Sequence, residues 1–433
     1  MLKRDIRRWD LVLLMINSII GAGIFGLPST IFGLSGIYSI PALFACAFVV
    51  FIIALCFSEV ASRFDKTGGP YLYTLKAFGE IPAVTVGWLL LITRLSTYAA
   101  QINLLVSYLG YFHPVLALHL SKYLAITAIT IFLTIITYRG VKSSTLMSNI
   151  LAIAKLLPLT IFIIVGAFFI NPQLFDLSQP PPAIPKFSSS MFVLIFAFTG
   201  FESILVNTGE MQNPKKNIPF ALITAIIFVA VFYGLIQIVC IGTLPDLAKS
   251  EFPLTAAAQI FMGPAGAALI SIGAVVSIGG ALNTVMLVGS RIPFAFSEEK
   301  QLPGFFTKLH PKFSTPVWSL LAFSVVAMIV SLTGTFVYAV AISVASKIII
   351  LLLVCIALIK FRRTDRGESD YFKLRYGYLI AITGIVACLW LLFGSKLSEI
   401  AAVLITTFAG LIFFFIYKLS SGKSKTNMQP PVL

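Results

Sequence analysis

The sequence predicts an all-α polytopic membrane protein, and three observations carry that prediction. Of the 433 residues, 58% are hydrophobic and only 11% are charged, and the mean hydropathy is +0.99. Apolar runs of about 20 residues, the length that crosses a bilayer as a helix, recur twelve times. Lys and Arg fall mostly in alternate connections, as the positive-inside rule requires. A soluble protein of this size would need far more polar surface.

The twelve predicted helices follow the apolar runs in order. Their ranges are 9–32, 38–58, 82–111, 122–138, 147–170, 188–208, 218–241 and 265–291, then two helices joined at 333–334 of which the second ends near 359, and finally 376–393 and 398–417. A glycine-rich connection at 63–79 is predicted to form a turn and a short surface or re-entrant helix. A Pro-rich linker at 171–185 separates the halves, and 293–315 is predicted to be a polar segment.

Basic residues set the predicted orientation. Only Lys122, Lys186, Lys249 and Lys396 fall on the side opposite the N-terminus, so both termini are predicted to be cytoplasmic. Helices 1 and 6 then run in opposite directions, as an inverted repeat requires. The predicted division is as follows: 1–170 and 187–360 are two inverted repeats, 376–418 holds helices 11 and 12, and 419–433 is a disordered cytoplasmic tail.

Two of the predicted helices carry sequences that break a helix. The run 17–28 in helix 1 contains three glycines and Pro28, and each interior glycine costs a helix about 1 kcal/mol relative to alanine. The run 196–202 in helix 6 has Gly200 at its centre. Broken backbone inside a membrane must be satisfied by protein, water or a ligand. Two such breaks at matching places predict a transporter's substrate site, and close helix packing is the alternative explanation for the glycines.

Other functional classes find little support in the composition. The five cysteines lie in apolar runs without metal-binding spacing, so neither a disulfide framework nor a metal or other cofactor is predicted. The net charge of +15 comes without a basic run interleaved with aromatic residues, so no nucleic-acid partner is predicted. An integral-membrane enzyme would need clustered Asp, His or Cys residues near one membrane face, and a channel is disfavoured by the paired breaks. The sequence carries no signal of oligomeric state.

Several motifs in order resemble the amino acid–polyamine–organocation superfamily of permeases. The similarity runs from residue 10 to about 363. Its motifs are Ile20-Gly-Ala-Gly-Ile-Phe25, Ala154-Lys-Leu-Leu-Pro158, Phe196-Ala-Phe-Thr-Gly-Phe-Glu202, Gly209-Glu-Met-Gln-Asn-Pro-Lys-Lys-Asn-Ile-Pro219, Gly289-Ser-Arg-Ile-Pro-Phe-Ala295, Leu302-Pro303 and His310-Pro-Lys-Phe-Ser-Thr-Pro316. The resemblance implies a five-plus-five inverted repeat, broken helices 1 and 6, and a multi-pass permease in the inner membrane of a bacterium.

The resemblance also implies where an amino acid binds. Backbone around Ala22, Gly23 and Ile24 would bind its carboxylate, because the start of a half-helix offers partial positive charge. Carbonyls near Ile19 and at 196–199 would receive its ammonium group, and Phe196 would be an aromatic gate. The predicted binding residues are Ile19, Gly21, Ala22, Gly23, Ile24, Phe196, Ala197, Phe198, Thr199 and Gly200.

Two residues are predicted to couple transport to an ion. Lys155 lies about nine residues into helix 5, where it either snorkels to the cytoplasmic surface or, as the resemblance implies, replaces the sodium ion of related transporters. The second interpretation predicts sodium-independent transport. Glu202 is either a structural carboxylate with a cationic or backbone partner, or a proton-sensitive switch.

Further charged residues are candidates for the substrate pocket or for a gate. Arg94 and Lys347 lie mid-helix and depart from the superfamily pattern. They either pair with Glu202, Glu59 or helix carbonyls, or face the cavity and favour a substrate with an extra negative charge. Arg291 is predicted to join a cytoplasmic gate with a carboxylate. The partners proposed for it are Asp10 and Glu59, of which Glu59 is otherwise expected to be structural.

The sequence thus predicts a secondary active transporter that moves an amino acid by alternating access, driven by proton symport or by exchange. Polyamines or other organic amines are the alternative substrates, although they favour a cavity richer in carboxylates. The predicted partners are the small-molecule substrate, the lipid bilayer and, for symport, protons.

Overall fold

Helices account for nearly all of the protein's regular structure. The structure, a computed structural model, describes residues 6–64, 69–139, 145–176, 178, 180–205, 211–299, 301–364 and 371–424. Its helices are α1 (Arg8–Ile19), α2 (Ala22–Gly26), α3 (Pro28–Ser35), α4 (Ser39–Ser62), α5 (Gly69–Phe78), α6 (Glu80–Phe112), α7 (His119–Tyr138), α8 (Thr145–Ala167), α9 (Ile184–Phe198), α10 (Phe201–Ile204), α11 (Pro214–Thr243), α12 (Pro253–Glu298), α13 (Val317–Thr333), α14 (Phe336–Thr364), α15 (Gly377–Leu392) and α16 (Leu397–Ser424). Strand pairing in the described ranges is limited to isolated bridges. The all-α fold class is confirmed.

Many of these helices have the length and composition of membrane spans. In the described part of the chain, nine helical stretches are long and apolar enough to cross a bilayer. Shorter apolar helices are Ile153–Ala167, Val317–Thr333 and Gly377–Leu392. The protein is therefore an integral membrane protein, as predicted. The number of helices that cross the membrane and their grouping into repeats stay predictions.

Two predicted helices extend beyond the ends expected for them. The predicted start of helix 8 near 265 agrees with a kink at Gly263, whose positive φ of 66° divides α12 into a short segment, 253–262, and the long helix that follows. The same helix continues past Arg291 and through Pro293 to Glu298, because an interior proline removes only one helical hydrogen bond. At the C-terminus, α16 extends to Ser424, beyond the predicted end of helix 12 at 417. The rest of the predicted tail lies outside the described residues.

The first predicted break is real but narrower than the glycine run. Helix α1 ends at Ile19 and α2 begins at Ala22, with Ile20 in an extended conformation and Gly21 in a conformation that is neither helical nor extended between them. The other two glycines of the run lie inside α2 and pack closely. A Cβ on Gly23 would lie 2.8 Å from the Cα of Ala197, and one on Gly26 would lie 2.7 Å from the ring of Phe336. Close helix packing therefore accounts for those two glycines.

The second break separates α9 from α10. Thr199 and Gly200 lie between the two helices, and Gly200 has a φ of +135°, which L-residues rarely adopt. A Cβ at Gly200 would overlap the carbonyl oxygen of Ser18 in α1. Because α2 packs on α9 and α1 packs on α10, the two breaks lie against each other inside the bundle.

The other long helices surround this pair. Helix α6 packs along α12, α13 and α14, and α11 packs against α1 and α4. Helices α15 and α16 lie at the outside, where α15 contacts α14 and α4 and α16 contacts α6 and α14. Polar backbone at the breaks is thus shielded from lipid by protein, the only setting in which a membrane tolerates it.

Candidate functional site

The candidate site is the region where the two breaks touch. The hydroxyl of Ser18 donates a hydrogen bond to the carbonyl oxygen of Gly200 over 2.8 Å, which ties the end of α1 to the start of α10. On the other side of the breaks, Gly23 packs against Ala197. A helix that stops leaves carbonyls at its end and N–H groups at its start without helical partners. The two breaks therefore bring several such groups into one small region.

Lys155 satisfies carbonyls at the end of α1. Its Nζ atom donates to the carbonyl oxygens of Asn17 and Ile20 at 2.9 and 2.8 Å, and the side chain is buried within the protein. A cation is favoured there because a helix carries partial negative charge at its C-terminal end. The interpretation of Lys155 as a lysine snorkelling to the surface is therefore wrong.

Glu202 caps the start of α10. Its Oε2 atom accepts a hydrogen bond from the backbone N–H of Gly200 at 2.7 Å. Its Oε1 atom lies 3.7 Å from the Nζ atom of Lys347, and both side chains are about 95% buried. Glu202 thus has both the cationic partner and the backbone donor that the structural interpretation required. This geometry leaves a role in proton coupling open to test.

Lys347 reaches the second break from α14. Its Nζ atom donates to the hydroxyl of Thr199 at 2.7 Å and lies 5.6 Å from the centre of the Phe196 ring. Phe196 in turn meets Phe336 edge-on, with ring centres 6.3 Å apart. The lysine therefore lies beside the residue that is predicted to be the aromatic gate.

Arg94 approaches the same region from α6. Its Nη2 atom donates to the hydroxyl of Ser203 at 2.5 Å, and only 7% of the residue is exposed. Among the described residues, no carboxylate lies within 4 Å of this guanidinium. We call Arg94, Glu202 and Lys347 the buried charge cluster, which contains two cations and one carboxylate.

A small cavity lies within this region. It has a volume of about 10 Å³, which is room for about one water molecule. Its walls are Leu90 and Thr93 of α6, Thr199 and Glu202 at the second break, and Lys347, Ile350 and Leu351 of α14. An amino acid is several times larger than a water molecule. The described conformation is therefore closed around the second break, and a substrate needs helices or side chains to move.

Not all predicted binding side chains point to this cavity. Phe198 packs against Tyr233 with ring centres 5.5 Å apart, on the side of α11. The hydroxyl of Tyr233 also donates to the carbonyl of Ile19 over 3.3 Å, so that carbonyl already has one donor. The side chains of Ala22 and Ile24 are buried within the protein. A Cβ at Gly21 would meet no atom within 4 Å, so the first break has open space beside it.

The predicted gate residues do not meet as expected. Glu59 is fully buried and binds Arg362 through both carboxylate oxygens and Arg63 at 3.0 Å, and it accepts the N–H of Leu374 at 2.9 Å. Its expected partner Arg291 is exposed on α12. In the described conformation, the arginines that bind Glu59 come from the ends of α4 and α14, and the gate formed by Arg291 with Asp10 or Glu59 stays a prediction. Asp10 lies in the first turn of α1.

Sequence reasoning missed several partners. Ser18 and Ser203 each lie within three residues of a break, so proximity to the break was their only signal. Arg362 was placed in a loop because helix 10 was expected to end near 359, three residues before it. Among the described residues, no group of three or more His, Cys, Asp or Glu side chains is placed to hold a metal ion.

A helical membrane protein with buried charges gathered at two adjoining helix breaks has the structure of a membrane transport protein. The sequence profile of the amino acid permease family matches residues 6–429. Because that match covers nearly the whole chain, the protein belongs to the amino acid permease family.

Relatives of known name agree with this family. Three proteins of Bacillus subtilis are similar over almost the full chain. They are the branched-chain amino acid permease BcaP (29% identical, 98% of this chain and 94% of that protein), the serine/threonine exchanger SteT (27%, 96% and 96%) and a methylthioribose transporter (27%, 96% and 94%). All three are named as transporters or permeases, so the chain is a permease rather than an enzyme.

Proposed function

We propose that the protein is a secondary active transporter that moves an amino acid across the membrane by alternating access, without sodium, by proton symport or by exchange. The observation that carries this proposal is the contact between the two helix breaks, with the buried charge cluster beside it. Buried ionisable groups inside a membrane bundle are costly and mark substrate or ion pathways. Discontinuous helices that meet near mid-bundle are the usual site of such pathways.

The amino acid would bind in the space between the two breaks. The N–H groups of Ala22, Gly23 and Ile24 belong to the first turn of α2, which continues into α3, and they would receive the carboxylate. The carbonyls of 196–199 and of Ile19 would receive the ammonium group. The open space beside Gly21 supports this placement, since a ligand can approach the backbone there.

Coupling would depend on Lys155 and Glu202. The Lys155 ammonium group lies on the carbonyls of Asn17 and Ile20, which are oxygen ligands of the kind that a sodium ion would otherwise need. A fixed cation at that place repels sodium. If a proton moves during transport, Lys155 and Glu202 are the buried titratable groups at the breaks that we propose to carry it.

Alternating access would require the closed cavity to open to each side in turn. Helices α1, α2, α9 and α10 would move against the surrounding helices, since packed interfaces shift between discrete arrangements. Phe196 would close over the substrate from one side. On the other, Arg291 and Asp10 would form the cytoplasmic gate, with the cluster around Glu59 holding the ends of α4 and α14 together.

The proposed architecture is twelve membrane-crossing helices in two inverted repeats, 1–170 and 187–360, followed by α15 and α16. Both termini would lie in the cytoplasm, and the membrane would be the plasma membrane of a bacterium. The origin of the three relatives in Bacillus subtilis and the excess of basic residues on the side of the N-terminus support this placement.

A polyamine is the weaker substrate candidate. Two of the three groups in the buried charge cluster are cations, and they would repel a second cation on the substrate.

Uptake into proteoliposomes tests the proposal. The purified protein would be reconstituted and offered a radiolabelled panel of amino acids and polyamines, with and without an inward proton gradient, and with substrate loaded inside. Accumulation driven by the gradient would establish symport, and uptake only into loaded vesicles would establish exchange. No uptake of any amino acid under either condition would contradict the proposal.

A further inference from the structure

We propose that the transported amino acid carries a second carboxylate, which pairs with Arg94. This inference rests on the proposed function and names the substrate class of the same site. The juxtaposition that supports it is a guanidinium with no carboxylate within 4 Å among the described residues, one residue from a wall of the cavity at the second break.

The charges of the cluster do not balance. Lys347 and Glu202 lie 3.7 Å apart and form an ion pair, which accounts for one cation and one anion. Among the described residues, Arg94 forms a hydrogen bond only with the neutral hydroxyl of Ser203, although it is also attracted by the Glu202 carboxylate, so the two cations share one anion. A buried charge without a counter-charge is strongly disfavoured in a protein interior and more so in a membrane. One added carboxylate would bring the cluster to zero net charge.

Arg94 has hydrogen-bonding capacity to spare. A guanidinium carries five N–H donors, and its planar fork matches a carboxylate with two parallel hydrogen bonds. The only partner found for it among the described residues is Ser203, and its buried Nε atom has no hydrogen-bond partner in that part of the chain. An acidic side chain would satisfy donors that the described residues leave unpaired.

Arg94 lies next to the wall of the cavity at the second break. Ser203 follows Glu202 directly, and Leu90 and Thr93 on the same helix as Arg94 form one wall of the cavity. The hydroxyl of Thr93 is also buried without a hydrogen-bond partner among the described residues. Thr199, on the opposite wall, belongs to the break at which the α-amino and α-carboxylate groups are proposed to bind. A substrate bound there would extend its side chain across the cavity toward Arg94.

Uptake and competition in proteoliposomes test this inference. Radiolabelled glutamate, aspartate, glutamine, leucine and serine would be offered to the unaltered protein, to Arg94→Gln and to Arg94→Lys. Arg139→Gln serves as the matched control, since Arg139 is an exposed arginine at the end of α7. We expect the unaltered protein to prefer glutamate or aspartate over glutamine by at least 100-fold.

The variants should change specificity rather than only lower activity. In Arg94→Gln, uptake of glutamate and aspartate should fall by at least 100-fold. Uptake of glutamine should rise, because the introduced amide can form hydrogen bonds with the substrate amide. Arg94→Lys should retain part of the uptake of glutamate and aspartate, and Arg139→Gln should take up each amino acid at the rate of the unaltered protein. If Arg94→Gln fails to fold, a competition assay on the unaltered protein tests the inference by itself. That assay measures whether excess glutamate and aspartate inhibit uptake of the labelled amino acids.

The outcomes separate this inference from the proposed function. Uptake of neutral amino acids that glutamate and aspartate do not inhibit would overturn the inference and leave the proposed function intact. Uptake of neutral amino acids that requires chloride would also overturn the inference, since a chloride ion would then balance the charge of Arg94. Absence of any amino acid uptake would overturn the proposed function and the inference together.

Discussion

Substitution by alanine should affect the stability of the protein very differently at the two glycines of the helix breaks, Gly200 and Gly21. Gly200 has a φ of +135°, and a Cβ there would overlap the carbonyl of Ser18, whose carbon atom would lie 2.9 Å away. Gly21 has a φ of −141°, which any L-residue can adopt, and a Cβ there would meet no atom within 4 Å. We therefore expect Gly200→Ala to destabilise the protein and Gly21→Ala to leave its stability nearly unchanged.

The expected magnitude follows from two costs at Gly200. Holding an alanine in a backbone conformation that only glycine adopts readily costs about 1–3 kcal/mol. Forcing the Ser18 carbonyl aside in a packed interior costs about another 1–3 kcal/mol, so the total is about 2–6 kcal/mol. The same movement would stretch the 2.8 Å hydrogen bond from the Ser18 hydroxyl to Gly200. Gly21→Ala should change the free energy of unfolding by less than about 0.5 kcal/mol, because the added methyl group would contact no other atom.

Thermal unfolding of the purified variants in one detergent measures this difference. An unfolding entropy of about 2.1 cal/mol/K per residue converts the cost into a melting temperature lowered by about 2–7 °C for a chain of this length. Gly21→Ala should melt with the unaltered protein but transport less, because its methyl group would occupy the space proposed for the substrate. A Gly200→Ala protein that melts no lower than Gly21→Ala would refute the argument.

Three further predictions concern the buried charges. Lys155→Met should lower the melting temperature and abolish coupled uptake. The carbonyls of Asn17 and Ile20 would each lose a hydrogen-bond donor, and each loss costs about 1–3 kcal/mol of stability. An unchanged melting temperature would contradict this prediction. Replacing sodium by choline at constant pH should leave the uptake rate of the unaltered protein the same within error. Glu59→Gln should cost about 3–5 kcal/mol because it strands buried arginine, whereas Glu80→Gln, in an exposed pair, should cost less than about 1 kcal/mol in the same unfolding assay.

The helices and their breaks were predictable because they depend on local sequence. Long apolar runs predict membrane helices whatever surrounds them, since the bilayer itself requires internal backbone hydrogen bonding. The breaks at Gly21 and Gly200 were located to within a residue or two. Prediction failed at the end of helix 8, which was placed at Arg291 before Pro293, because an interior proline can be absorbed when neighbouring helices hold both sides.

Partners of the charged side chains could not be predicted from the sequence. Lys155 bonds carbonyls 135 and 138 positions away, Arg94 reaches a serine 109 positions away, and Glu59 binds an arginine 303 positions away. No local pattern encodes such distances, since they depend on how whole helices pack.

The sequence by itself determined that this chain is a helical membrane protein with two interrupted helices, because hydropathy and glycine placement act locally. Only the tertiary structure decided which glycine lies at a helix break and which one packs against a neighbouring helix, and which of the buried cations lies within 4 Å of Glu202. Those outcomes depend on the neighbours that each residue meets across the bundle, such as Ala197 against Gly23 and Glu202 beside Lys347.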